Sequence, residues 1–191
     1  MKHNLKEVFG KYHKRKNTDV SLTPSAVLLP LYYKEEQIYI LFTQRSNLVL
    51  HHKGQICFPG GNYKYSDADL VQTALRETEE EIGLKAEDVE ILGELDDAST
   101  TTSGYAISPF IALIPHPYQF KINPQEITQM FSIPLSKFMD DTILKYGHTG
   151  YGEQCQISFY YQYEGHIIWG VTARILSQFL ELLKPENGAY I

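Results

Sequence analysis

Between Phe58 and Leu84 the chain carries a glycine loop, Phe58-Pro59-Gly60-Gly61, followed by a stretch of helical periodicity that ends in a knot of carboxylates. From Val71 onward, Val71, Leu75, Thr78 and Ile82 share one stripe at 3.6 residues per turn, the face that meets a core. Glu77, Glu80 and Glu81 stand at i, i+3 and i+4 and are neighbours on a different face. For a helix chosen for stability alone this is a poor arrangement. Like charges at those spacings repel by about a few tenths of a kcal/mol per pair. Gly83 reads as a C′ residue, so the acids also crowd the end where the helix dipole disfavours anions. A hard divalent cation is the simplest remedy, because Mg²⁺ and Mn²⁺ take carboxylate oxygens and water. The alternative is a solvated acidic face, the commoner meaning of a charge run. Ser66 or Asp67 can cap the helix, with Asp69 completing a capping-box-like pattern.

The flanks decide between the two. Arg76-Glu77-Thr78-Glu79-Glu80-Glu81-Ile82-Gly83-Leu84, with Gly61 upstream as the opening glycine, resembles the Nudix box. Asp67 stands where most members have Glu, and the interval from Asp67 to Arg76 is one residue longer than usual. Both departures resemble the coenzyme A pyrophosphatase subgroup. Its further signature is similar to Leu41-Phe42-Thr43-Gln44-Arg45-Ser46, then Gly54-Gln55, then Phe58-Pro59-Gly60-Gly61. Leu50 departs from it, standing where the subgroup usually has Arg. The resemblance runs from about Ser25 to Leu183.

That resemblance implies an α/β (α+β) Nudix fold, an α-β-α sandwich with a central mixed sheet and a loop-helix-loop. It divides the chain into a basic N-terminal helix or extension (1–22), a Nudix hydrolase domain (23–185) and a tail (186–191). It implies Mg²⁺- or Mn²⁺-dependent hydrolysis of coenzyme A, or a derivative, to 3′,5′-ADP and 4′-phosphopantetheine or its acyl form. Glu77 and Glu81 are then the principal metal ligands, with the Gly60 carbonyl as a further one. Glu80 binds metal or takes a proton from the attacking water, and Arg76, at i and i+4 to Glu80, holds that carboxylate. Glu126 opens a strand that ends in Ile133-Pro134-Leu135, similar to the Nudix segment that supplies a second carboxylate. The alternative for Glu126 is a strand-start acid facing solvent.

Arg45 follows an apolar strand, where its planar fork of donors suits phosphate oxygens; an ordinary surface ion pair is the alternative. Ser46, His52, Gly54, Gln55, Phe58, Gly61 and Thr172 complete the substrate-binding set that the resemblance implies. Gly60 and Gly61 allow positive φ and a close backbone approach. His51, His52 and Cys57 are zinc-type donors, but they lack the spaced pairs of a structural site. Asp96 and Asp97 could touch a metal, but in so polar a loop they are read as solvated or turn-capping.

The remaining elements follow from pattern. Leu5, Val8, Phe9 and Tyr12 recur at helical spacing within the basic segment 2–16, predicting an amphipathic helix packed on the domain edge; a phosphate- or RNA-binding arm is the alternative. Segments 25–31 and 37–43 read as strands joined by a polar turn, and 89–95 and 107–114 as two more. Residues 136–141 read as a short helix, 156–163 and 166–169 as a hairpin, and 175–183 as an amphipathic helix closed by Pro185. Tyr160, Tyr161 and Tyr163 could stack on an adenine, but aromatic residues are common in strands and core or surface packing is the default reading.

Some function classes are disfavoured. A net charge of −6 argues against a general nucleic-acid binder. No apolar run approaches the roughly 20 residues of a membrane helix, and the N-terminus lacks the apolar core of a signal peptide. Cys57 and Cys155 do not make a disulfide framework, which points to a reducing cytoplasm. The partner expected is a small diphosphate molecule, and a homodimer is compatible with the sequence. Two other readings stay open. One is a Nudix hydrolase acting on NADH, a nucleotide sugar, a dinucleoside polyphosphate or an RNA cap. The other is a catalytically silent nucleotide-binding domain, which retention of all three box glutamates disfavours.

Overall fold

The computed structural model describes residues 2–100, 103–149 and 156–184. Cys155, Pro185 and the tail 186–191 lie outside the described residues. A short helix, α1 (Lys2–Lys11), leads to a long hairpin of β1 (Thr23–Lys34) and β2 (Gln37–Arg45). Glu35 and Glu36 turn that hairpin with φ of 49° and 63°, the pairing of positive φ values that matches strand twist. Away from the turn the two strands part. β3 (Ile56–Cys57) pairs with the end of β2, and β4 (Gly60–Asn62) with the start of β1, so residues 56–62 fill the opening. This places the two glycines inside the sheet.

The helix α2 (Leu70–Ile82) follows, then β5 (Glu90–Glu94), β6 (Ala98–Ser99) and β7 (Tyr105–Leu113). β7 runs parallel to β1, while its partners β5 and β6 are antiparallel to it. β8 (Ile127–Pro134) lies antiparallel along the other edge of β2. After the one-turn α3 (Leu135–Phe138), a small sheet of β9 (Leu144–Thr149), β10 (Gln156–Tyr163) and β11 (His166–Ile168) precedes α4 (Gly170–Leu182). The result is the mixed sheet between two outer layers that the sequence led us to expect. β9 is an addition, and α4 starts five residues earlier than its apolar pattern does.

Strand alternation sorts the core into two halves. Ala26, Leu28, Leu41 and Phe110 meet Ala74 and Ile82 of α2 on one face. Leu29, Leu31, Phe42 and Ile111 meet α1, α4 and the small sheet on the other. Covered on both sides, β1 reads as a nearly unbroken apolar run. α1 docks by Leu5 and Phe9, and Phe9 stacks on Phe179 of α4 with centroids 5.4 Å apart. The polar residues after α1 also have partners. Lys14, almost fully buried, reaches Glu94 at 2.8 Å and Asp97 at 3.2 Å, and Arg15 pairs with Asp96 at 2.7 Å. Asp96 and Asp97, read from sequence as solvated or turn-capping, are therefore anchors for the N-terminal segment.

Candidate active site

α2 is capped by Asp69, whose carboxylate accepts from the Gln72 N–H at 2.8 Å, and ends at Gly83 with φ 70°. The C′ reading of Gly83 agrees, but the cap is neither Ser66 nor Asp67. Asp67 has another task. Arg76 grips it through Nε and Nη2 at 2.8 and 2.9 Å, while the Lys64 N–H and the Thr73 hydroxyl also donate to it. Chiefly through Arg76, these donors hold the Asp67 carboxyl well below the usual range. Arg76 also donates to Glu77 at 2.5 Å, to Glu80 at 3.2 Å and to the Asn62 carbonyl at 3.0 Å. Its guanidinium is thus consumed by the loop and the box carboxylates. In this arrangement Arg76 bridges the loop before α2 and the box carboxylates.

Glu81 is the buried member of the trio. Its side chain is 2% exposed, while those of Glu77 and Glu80 are 14% and 43% exposed. Gly60 donates its N–H to Glu81 Oε2 at 3.2 Å, and Arg45 Nη1 lies 3.9 Å from Oε1. Burial pushes the Glu81 carboxyl up to about 8, and the charges of Glu126 and Glu77 add to that push; the Gly60 N–H and Arg45 pull the other way. The glycines make this proximity possible. A Cβ on Gly60 (φ 149°) would strike the Ala26 carbonyl and Val27, and a Cβ on Gly61 would run into the Glu77 carboxylate. Glu77 and Glu81 therefore flank one short stretch of backbone.

Glu126 sits just before β8, its Oε1 accepting from Asn123 Nδ2 at 3.2 Å and its carbonyl from the Ser46 N–H at 2.7 Å. The Asn123 N–H in turn donates to the Glu81 carbonyl at 2.9 Å, so the end of α2 and the start of β8 are tied together. A register shift between Gln44 and Arg45 re-aims β2 at this point. Arg45 emerges beside Glu81, with a buried Nε that has no hydrogen-bond partner among the described residues. A buried donor in that state is suited to an incoming acceptor.

Among the described residues, no three acidic, His or Cys side chains converge as a ready-made metal site. Glu77 is turned to Arg76, and Glu80 to Arg76 and Lys64, whose Nζ lies 3.3 Å away. The donor chemistry nevertheless fits a hard divalent cation. Every side-chain donor is a carboxylate oxygen, and Glu77 and Glu126 lie close enough to Glu81 for their charges to disfavour its ionised form. Glu77 and Glu81 are the residues that would hold it, with Glu126 beside them.

The substrate-binding set separates. Gly54 (φ 68°) and Gln55 shape the loop before β3, where the Gly54 N–H donates to the Arg45 carbonyl at 3.1 Å. His52 is exposed, with Nδ1 3.1 Å from Gln55 Oε1. Ser46 is buried, its hydroxyl accepting from the Leu48 N–H at 3.1 Å. Phe58 and Thr172 are buried. Phe58 is 2% exposed and stacks on Phe42 at 5.1 Å, and Thr172 is buried in the first turn of α4. Cys57, beside Glu81 and Arg45, has its thiol pushed up to about 11 by burial first and Glu81 second, which leaves it a poor nucleophile. The Cys57 sulfur lies 3.4 Å from the Thr43 hydroxyl.

Residues 22–142 match the family description "NUDIX domain". The uncharacterized Nudix hydrolase NudL of Photorhabdus laumondii is 35% identical over 154 residues, covering 81% of this chain and 81% of that protein. NudL of Yersinia enterocolitica is 35% identical over 155 residues, covering 80% and 77%. Among solved structures, the Nudix domain of Shewanella oneidensis NrtR, complexed with ADP ribose, superposes with a TM-score of 0.54. It is 18% identical and the match covers 92% of this chain and 96% of that one. A MutT/nudix family protein from Enterococcus faecalis gives a TM-score of 0.55 at 13% identity, over 91% and 63%. The box carboxylates, the glycine loop that abuts them and these matches agree: the chain belongs to the Nudix family.

Proposed function

We propose that the protein hydrolyses the pyrophosphate bond of coenzyme A or a derivative in the cytoplasm, using Mg²⁺ or Mn²⁺, to 3′,5′-ADP and 4′-phosphopantetheine or its acyl form. One juxtaposition carries this reading. The carboxylates of Glu77 and Glu81 stand at Gly60-Gly61 beside Arg45, which offers a buried and unpartnered Nε. A cation-binding set next to an anion-binding donor suits a diphosphate. When bound, a divalent cation neutralises the diphosphate and lowers the pKa of water. Around it, Arg45 binds a phosphate oxygen, and Arg76 fixes Glu77 and Glu80 against the loop. Glu80 and Glu126 are the carboxylates positioned to take the proton of the attacking water. The choice of coenzyme A rests on the Leu41 to Gly61 segment and its likeness to one Nudix subgroup.

A second reading has one observation in its favour. Leu50, where that subgroup usually carries Arg, is 89% exposed and offers no charge to a substrate. On this reading the substrate is another nucleoside diphosphate derivative, such as NADH, a nucleotide sugar, a dinucleoside polyphosphate or an RNA cap. A side-by-side panel of these compounds and coenzyme A, with and without Mn²⁺ and with products identified by mass spectrometry, tests both. Metal-dependent appearance of 3′,5′-ADP from coenzyme A supports the first. Intact coenzyme A beside a cleaved alternative establishes the second. Tight nucleotide binding without any turnover refutes both and leaves a silent binding domain.

A further inference from the structure

The β2–β3 pair has two sides with different chemistry. Arg45 and Cys57 face Glu81, while their chain neighbours Gln44 and Ile56 face the small sheet and line a cavity of about 420 Å³ against β11 and Trp169. That volume falls in the range of small-molecule sites. Trp169 is the single tryptophan of the chain and is 46% exposed, next to Ile167 at 47%. Neither the core nor the carboxylate cluster accounts for them. His166 stacks face to face on Phe131 at 3.8 Å and stiffens the β11 wall.

The polar groups facing this apolar plate still have hydrogen-bonding capacity. Gln44 donates one N–H to the Gly54 carbonyl at 2.9 Å, which leaves its carbonyl oxygen and second N–H. Gln55 contacts His52 through its oxygen, which leaves its amide NH₂. Lys53 lines the same cavity, is exposed, and forms no ion pair among the described residues. An exposed aromatic face, amide donors and acceptors, and a free cation together match a nucleobase that carries a phosphate nearby.

We propose that this cavity seats the nucleobase end of the substrate, with Trp169 stacked on the ring and Lys53 facing a phosphate of the same nucleotide half. The proposal rests on the diphosphatase reading for the identity of the base, adenine. Consecutive residues connect the two sites, Gln44 with Arg45 and Ile56 with Cys57. They place the two sites on opposite faces of one strand pair, so one nucleotide would reach both by passing around the turn that follows β2. The substrate would thus be held across the strand ends, its diphosphate at Glu81 and its base behind Gln55.

Because the chain has one tryptophan, its emission reports on the cavity directly. Metal-free protein in EDTA is titrated with adenosine 3′,5′-bisphosphate, adenosine 5′-monophosphate and inorganic pyrophosphate. Saturable quenching by both nucleotides but not by pyrophosphate is expected, with the bisphosphate tighter. Lys53→Met should bring the bisphosphate down to the affinity of the monophosphate. Trp169→Leu should raise KM for the cleaved diphosphate about tenfold, as for a lost base stack; should that variant fail to fold, Trp169→Phe and Gln44→Ala replace it. Unchanged emission at millimolar nucleotide, equal quenching by pyrophosphate, or an unaltered KM in Trp169→Leu overturns the proposal. Quenching without cleavage of any diphosphate supports the cavity and overturns the hydrolase reading. Cleavage with an unaltered KM does the reverse.

Discussion

Replacing Glu81 by Gln should stabilise the metal-free protein at alkaline pH, even though it removes a group the proposed chemistry needs. Glu81 is 2% exposed, and burial, then Glu126 and Glu77, push its carboxyl from 4.5 to about 8. A carboxyl whose folded pKa lies above its unfolded value binds its proton more tightly in the folded state. Its contribution is fully present below about 4.5 and is lost as pH rises through about 8. At 1.36 kcal/mol per pKa unit, that interval corresponds to on the order of 5 kcal/mol. For a chain of this length, about 2–4 °C per kcal/mol converts it to roughly 10–20 °C in Tm. Gln keeps an oxygen for the Gly60 N–H and carries no charge. The assay is thermal unfolding by circular dichroism at pH 5 and pH 8.5 in EDTA. The wild type should lose Tm between the two, while Glu81→Gln should change less and lie above the wild type at the higher pH. Added Mn²⁺ should reverse that order, since a ligand of the folded state stabilises only the protein that binds it. A Glu81→Gln variant less stable than the wild type at pH 8.5 in EDTA would refute the reasoning.

Arg45→Lys keeps a charge but loses the buried Nε, so kcat/KM for the cleaved diphosphate should fall about tenfold or more, measured in steady state. Asp67→Asn should lower Tm at pH 7. Asp67 is held below its unfolded value, so its contribution is present above about pH 4 and is lost as pH falls below that, and melts in acid should show the gap to the wild type closing. Gly93→Ala places a Cβ 2.6 Å from the Phe9 carbonyl oxygen and 2.8 Å from its Cβ, and undocking α1 should cost about 1–3 kcal/mol in denaturant unfolding.

Much of α2 was legible because three signals agree there: the apolar stripe, the glycine at its end and the carboxylates in the wrong place. Leu75, Thr78 and Ile82 are buried as the periodicity implies, with Val71 partly so. The burial of Glu81 was not legible. It follows from β3 and β4 filling the gap between β1 and β2, a tertiary fact that brings Gly60 under the helix. Asp67 misled for a related reason. Ser66, Asp67 and Asp69 are all residues that cap helices, and only the fold shows that Asp67 answers Arg76 while Asp69 caps. Phe58 and Thr172 lie in motif-like segments, but position in a motif does not tell which face a side chain takes. β9, Leu144-Lys145-Tyr146-Gly147-His148-Thr149, escaped because it lacks apolar alternation and carries a central glycine. The cavity could not be assembled from sequence, since its walls come from segments 44–56 and 165–169; the sole tryptophan at a strand end was the one available hint.

The central claim is that Glu81 and its neighbours hold a divalent cation against a diphosphate that is then cut. Hydrolysis of coenzyme A by wild type and Glu81→Gln, each with Mn²⁺ and with EDTA, tests it most directly. The expected result is 3′,5′-ADP from the wild type only with Mn²⁺, and a loss of about 100-fold or more in the variant. Coenzyme A left intact by the wild type over hours with Mn²⁺, or a variant that turns over at the wild-type rate, would contradict it.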